Sequence, residues 1–451
     1  MSTTTGTAKT PGLKERAVAR RAVEAVIWGM PAVNFDRMLR AAIDNGGKAN
    51  QMIYWSQPVN SKNQTLTPNP DTIYLNPFYD TRNGPVVLEI PAAEPDNVIV
   101  GSIDDSWQNA LEDVGPAGLD KGKGGKYLIT PPEYNGKIPG GYFVLSSDTY
   151  QGFVILRSNF KSDSDTDIAA AVNYGKKVKI YPLNASAEST VYVDVYDKDF
   201  DATIPYDWRF FESLHSFVQV EPWLTRDKVM IDLLRTLGIE KGVPFNPDER
   251  TKKIFTVAAQ EAHEQIGLKY EAGYDSPFFP GTHWAVPISK ETLDGMPTMF
   301  ADPNSYDIDG RAAMYHMAYF SAKHLGAGQF YLLAIHDRDG NPLDGKNTYR
   351  LTVPVNAPVK QYWSATAYDR ETHALIRGMT RNSRASNVPG LQKNEDGSVS
   401  VYLAAKAPEG KETNLVPTDA QRQFEILFRF YGPEKSLFEK TWVLPDIEKI
   451  G

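Results

Sequence analysis

Hydrophobic positions change their spacing three times along this chain. From Leu13 to Met30 the apolar residues Ala17, Val18, Val23, Val26 and Ile27 recur at mixed intervals of three and four, the signature of a partly buried helical face. The pattern predicts a helix ending near Gly29 and Pro31 and a second one over Asn34 to Ile43 that stops at Asn45-Gly46-Gly47, because proline breaks the helical ladder and glycine ends it. Residues 1–12, rich in threonine, lack any period and read as a disordered tail, which leaves 13–50 as the N-terminal helices. From Met52 to Phe160 the runs shorten to strand length: Val86 to Ile90, Val98 to Ile103, Gly125 to Ile129, Tyr142 to Leu145 and Phe153 to Leu156, separated by Pro, Gly, Asn and Asp. A first β domain over 51–200 follows, of the sandwich or barrel kind.

Helical spacing returns between Trp208 and Ile266, in three segments joined by the stiff connector Gly242 to Pro247. An aromatic, proline-rich excursion runs from Tyr270 to Met299, and a further helix is predicted over Arg311 to His324. Together they make a helical linker and excursion over 201–328. Strand-length runs then resume, with Phe330 to Ile335, Thr348 to Val353, Gln361 to Ala367, Val399 to Ala404 and Phe424 to Phe430, in a C-terminal β domain over 329–451. The fold class that emerges is mainly β with a helical middle, two β-sandwich domains flanking the helices.

One stretch concentrates the polar chemistry. In Gln64 to Pro91, Pro68 and Pro70 flank Asn69 and hold the chain extended; Asp71 and Thr72 lead into the β-prone Ile73-Tyr74-Leu75, and Asn83-Gly84-Pro85 turns toward Val86 to Ile90. The succession has the form of a hairpin. Asn69, Asp71, Thr72 and Tyr74 stand at the lip of a sheet, where amide, carboxylate, hydroxyl and phenol can meet a ligand; Asn and Asp there equally suit Asx turns that bond their own backbone. Asp104-Asp105-Ser106-Trp107 follows another strand, and because strand neighbours point to opposite faces the two carboxylates need not act together.

Composition narrows the chemistry. A net charge of −8 with pI near 5.5 gives no basic footprint for nucleic acid. The absence of cysteine removes disulfides, thiolate nucleophiles and cysteine-held metals. No apolar run reaches membrane-spanning length and the N-terminus has no secretory signal, so a soluble cytoplasmic protein is expected. Glu212 and His215 share a helical face, as do Glu261 and Glu264, but no second Glu-x-x-His motif accompanies the first and no His-x-His occurs; no metal and no cofactor are expected. Walker-type and Gly-x-Ser-x-Gly motifs are also missing.

Pro68-Asn69-Pro70-Asp71-Thr72-Ile73-Tyr74, Gly84-Pro85-Val86, Asp105-Ser106-Trp107 and Gly152 to Arg157 resemble the bacterial family called domain of unknown function 1254. Asp339 to Leu343, Gln361 to Asp369, Asp396-Gly397-Ser398, Asn414 to Pro417 and Arg429 to Pro433 resemble its partner, domain of unknown function 1214. The resemblance implies jelly-roll or immunoglobulin-like domains with a helical middle, and homo-oligomers; related proteins often look exported. The residues themselves point to a cofactor-independent hydrolase acting on a small organic or glycan-like substrate, with Asp71 or Asp105 as acid/base beside Tyr74, and Asn69, Thr72, Trp107, Arg157, Trp363 and Tyr368 binding substrate. Two alternatives stand beside it: a non-catalytic carbohydrate-binding or assembly protein, and a metal-dependent oxidase or hydrolase.

Overall fold

A computed structural model describes residues 12–324 and 328–451. Apart from Gly12, the tail expected at 1–12 lies outside the described residues. The chain is a mixed α and β protein rather than a mainly β one, with 27% helix against 24% strand. The difference arises because the helices are longer than local stop signals allow. Leu13–Asp44 is one helix with Pro31 inside it, not two. Pro31 removes one backbone donor, yet the surrounding turns are buried on nearly every side, from Ala22 through Phe35. Burial of so many apolar groups outweighs one missing hydrogen bond. The Pro31 carbonyl also accepts a bond from Gln108 Nε2 at 3.0 Å.

Helices Arg209–Val220, Glu249–Ala272 and Ile308–Tyr315 all pack on this N-terminal helix, so the middle of the chain and its beginning form one helical layer. The last of these stops at Tyr315 rather than reaching His324, because Met317 to Phe320 leave the helix to pack their side chains between domains.

The first β region contains a seven-stranded sheet in the order Tyr192–Asp194, Met52–Tyr54, Ile73–Leu75, Gln151–Ser158, Ile99–Asp105, Ala110–Val114, with Phe78–Asp80 also on Gln151–Ser158. A four-stranded sheet, Lys179–Pro182, Val86–Ile90, Gly125–Thr130, Phe143–Ser146, faces it across a shared apolar core that includes Ile73, Val154, Leu88 and Tyr127. Ile73–Leu75 and Val86–Ile90 therefore lie in different sheets and do not form a hairpin. Gly84, at φ 121, makes the turn, but the chain uses it to cross from one sheet to the other, where longer partners await Val86–Ile90.

In the C-terminal region Gln329–Ala334, Phe424–Tyr431, Trp363–Asp369 and Ser383–Ala385 form one sheet, and Leu415–Pro417, Val399–Ala404, Tyr349–Val353 and Glu448–Lys449 another. Their facing sides share Trp363, Phe428, Leu351 and Val401. The opposite face of the first sheet carries Tyr331, Thr366, Tyr368 and Arg429 and turns toward the N-terminal domain. Among the described residues no helix is long and apolar enough to cross a membrane.

Candidate functional site

The segment from Asn63 to Leu75 runs between the two β regions and is held from the C-terminal side by side chains. Tyr362 donates to the Asp71 carbonyl at 2.9 Å, Tyr368 to the Pro68 carbonyl at 2.6 Å, Arg429 Nη2 to the Thr67 carbonyl at 2.9 Å, and Ser383 Oγ to Asp71 Oδ1 at 2.7 Å. Asn69 Nδ2 bonds the Tyr431 hydroxyl, while its Oδ1 accepts the Asp71 amide at 3.0 Å in an Asx turn. The two prolines explain why side chains do this work: a segment short of amide donors cannot join a ladder, so its carbonyls are satisfied by donors from outside. Where it crosses the His373 loop, Thr67 and His373 both have positive φ, 39° and 53°, and are joined by Thr67 N to His373 O at 2.7 Å. A left-handed β-branched residue costs on the order of 1 kcal/mol or more and persists only where its surroundings impose it.

On one side of this segment lies a narrow cavity of about 50 Å³. Tyr74 and Arg157, opposite each other on neighbouring strands, line it from the N-terminal sheet; Tyr331 and Arg429, likewise opposite, line it from the C-terminal sheet; Met38 closes it from the N-terminal helix. Both guanidinium groups are buried, Arg157 6% and Arg429 2% exposed. Burial disfavours their charge, but Tyr331, Tyr74 and Tyr431 surround Arg157, and Tyr368, Tyr431 and Tyr331 surround Arg429, so that both are held above the ordinary guanidinium value. Among the described residues neither forms an ion pair with a carboxylate. Burial pushes the Asp71 carboxyl up, while the nearby Arg429 guanidinium draws it down. Arg157 Nε, Tyr319 Oη and Asn76 Oδ1, all on residues of the cavity wall, are buried without a hydrogen-bond partner among the described residues. A space this size admits several waters or a small ligand, and two guanidiniums with no direct ion pair among the described residues favour an anion.

On the other side, past Leu66, which lines both spaces, opens a cleft of about 770 Å³. Its wall includes His263, stacked on Tyr206 with ring centroids 3.7 Å apart, and His316, 2% exposed, whose two ring nitrogens have no hydrogen-bond partner among the described residues. His373 lies behind His316 at 4.6 Å between centroids, its Nδ1 2.8 Å from Glu425 Oε1; Glu425 Oε2 accepts from Tyr270 at 3.0 Å. Burial, and next the neighbouring His373, lower the pKa of both wall histidines, that of His263 to about 4. No three His, Asp or Glu side chains are grouped to hold a metal ion among the described residues. His215, expected to share a face with Glu212, contacts the Val243 carbonyl through Nε2 at 2.9 Å.

The residues singled out from sequence fall into three places. Asn69, Asp71, Tyr74, Arg157 and Tyr368 gather at the domain boundary, and of these Tyr74 and Arg157 line the cavity. Thr72 lies beside them but bonds Asn159 Oδ1 at 2.8 Å. Asp105 and Trp107 sit elsewhere: Asp105 accepts the amides of Trp107 and Asn109, both at 2.8 Å, and Trp107 packs between Trp28 and Phe217. Trp363 points away from the boundary, stacked on Phe428 in the C-terminal core. Sequence reasoning passed over Arg429, Tyr331, His316 and Glu425. One signal was available: Glu425 and Arg429 are four apart in a strand otherwise apolar or aromatic, hence on one face, and buried charges in a strand are seldom idle.

Comparison with known proteins adds identity but no activity. Family models match two stretches, described as protein of unknown function DUF1254 over residues 49–182 and protein of unknown function DUF1214 over residues 328–435. No curated protein matches the chain. Among solved structures, a protein from Vibrio parahaemolyticus is similar in fold at a TM-score of 0.59 and 18% identity, covering 96% of this chain and 100% of its own. An uncharacterized protein from Burkholderia cenocepacia aligns at a TM-score of 0.44 and 10% identity, over 97% of this chain and 94% of its own.

Proposed function

We propose that this chain, which carries a DUF1254 domain followed by a DUF1214 domain, binds a small organic anion in the cavity between them. The observation that carries the reading is the pair Arg157 and Arg429, two buried guanidiniums lining one cavity and attended by phenols. A carboxylate entering that space would neutralise charge that the protein leaves exposed to a low dielectric, and it would meet Arg157 Nε and the Tyr319 hydroxyl as ready donors. Recognition takes precedence over hydrolysis in this reading. Asp71 spends one oxygen on Ser383 and Asp105 accepts three local bonds, and neither lines the cavity.

The test is a thermal-shift series with acetate, propionate, benzoate and malonate against chloride at matched ionic strength, since a ligand of the native state alone raises the midpoint. At least one carboxylate raises it in the parent protein, and Arg157→Met abolishes the rise. A flat series, or a rise that survives Arg157→Met, overturns the reading.

A further inference from the structure

The open cleft carries a second set of partnerless polar atoms, and their chemistry differs from that of the cavity. A neutral imidazole has one donor and one acceptor; leaving both unused in a ring that is 2% exposed is costly, and a buried polar group without a partner calls for an explanation. Nearby groups are otherwise engaged. Glu425 is bonded to His373 and Tyr270, and Tyr270 to Tyr274 at 2.6 Å. His316 therefore keeps an unused donor and acceptor, buried in the wall of the cleft it lines. Beside it the Tyr206 and His263 rings are stacked face to face, 17° from parallel, so the pair has only outward ring faces to offer, and Gln260 supplies a further amide on the wall. The acids Asp44, Asp199, Asp201 and Glu371 outnumber the bases Arg37 and Arg209 along the rim, which disfavours an anion here.

We propose that the cleft is a binding site for a neutral hydroxylated ring, a monosaccharide or cyclic polyol, with an outward face of the stacked Tyr206–His263 pair as the platform and His316 as the buried hydrogen-bonding group. A hydroxyl is donor and acceptor at once, so it complements a neutral imidazole, and the apolar face of such a ring lies well on an aromatic surface. The volume, about 770 Å³, is in the range of small-molecule sites. Burial keeps His263 and His316 uncharged near neutral pH, which preserves the acceptor nitrogen. The inference stands apart from the anion reading, since it rests on different residues on the other side of Leu66.

The experiment is NMR of the full chain labelled with ¹⁵N at histidine, titrated to tens of millimolar with D-glucose and with myo-inositol, and separately with acetate. Saturable shifts of the His316 and His263 ring nitrogens with glucose or inositol, and none with acetate, are expected. His316→Phe, which fills the same space without partnerless nitrogens, weakens that binding about tenfold, the loss of one buried hydrogen bond. Absence of a saturable His316 shift with either compound overturns the proposal, and this readout needs no variant to fold. Equal affinity in His316→Phe overturns it as well. A response of His316 to acetate alone also counts against it.

Discussion

The inner cavity and the open cleft share Leu66 as a wall, yet they leave different things unfinished. The cavity is small, lies between two β domains, and is lined by two guanidiniums that make no direct ion pair among the described residues. The cleft is wide, lies between the helical layer and the His373 loop, and leaves neutral nitrogens without partners. In the first space electrostatics decides what can enter; in the second, hydrogen-bonding capacity does. The contrast teaches where to look for function in a chain with no catalytic motif. Asp105 is as polar and as buried as His316 or Arg157, but its neighbours satisfy both of its oxygens; Asp71 keeps one oxygen without a partner among the described residues, yet does not line the cavity. Capacity that local structure leaves over is the better guide than polarity itself.

Removing the shared wall tests the contrast most severely. Leu66 is buried between both spaces, so Leu66→Ala is expected to cost about 3 kcal/mol, as other buried leucine truncations do. It also joins the two spaces, so inositol in the cleft alters the midpoint shift produced by acetate, which it does not do in the parent. Urea unfolding and paired thermal shifts measure both effects. An unchanged stability would mean that Leu66 is not a packed partition.

Arg429→Met comes next in size. Arg429 donates to the Thr67 carbonyl and to Thr366 Oγ1, each at 2.9 Å, and to the Tyr368 hydroxyl at 2.5 Å. Methionine keeps the aliphatic stem and leaves these acceptors buried without their donor, at a cost of about 2 kcal/mol. The loss is read in urea without any ligand. A neutral result would show that the segment around Pro68 holds its course without this clamp.

How much of this was legible in the sequence follows from the range of each interaction. Val86–Ile90 and Val399–Ala404 are strands with the limits the pattern predicts, because alternation and flanking turn residues are local. The helix break at Pro31 was a sound local rule overridden by burial against three other helices. The hairpin failed for a similar reason: Gly84 does turn the chain, but which strand receives it depends on partners in Gly125–Thr130 and Lys179–Pro182. For the site, Tyr74 and Arg157 stood out as polar groups on strands, and they do line the cavity. Arg429 and Tyr331 reach it from the far end of the chain, across a distance no spacing rule covers. His316 was hidden in Met314 to Tyr319, a run that reads as an apolar helix face and whose histidine is in fact buried.

A smaller effect is expected from the cleft histidines, and its sign is fixed. Both folded-state pKa values lie below the ordinary imidazole value of 6.5, that of His263 at about 4. Below pH 6.5 the unfolded chain takes up protons that the folded chain refuses, at His263 until about pH 4. This contribution to stability is therefore complete above pH 6.5 and is lost as the pH falls from there toward 4. Urea midpoints measured across that interval decline in the parent, and they decline less in His316→Phe, which has one fewer group to protonate on unfolding. An identical decline in the variant would show that His316 is charged as readily when folded as when unfolded.

The smallest stability change is expected at Arg157, and it sharpens the comparison within the cavity itself. Arg429 is buried but serves as a clamp, whereas Arg157 has an Nε without a partner among the described residues and lies over the Tyr74 ring, its guanidinium carbon 5.4 Å from the centroid. Removing a buried charge that makes no direct ion pair also removes its desolvation penalty, so an apolar residue of similar shape can be neutral or better. Arg157→Met should thus unfold in ligand-free urea within about 0.5 kcal/mol of the parent, in contrast to the larger loss at Arg429. A side chain that stability does not require, in a wall where its neighbours are firmly bonded, is one retained for what it binds. A loss at Arg157 as large as that at Arg429 would make both residues clamps, and the cavity would then be a seam between domains with no call for an anion.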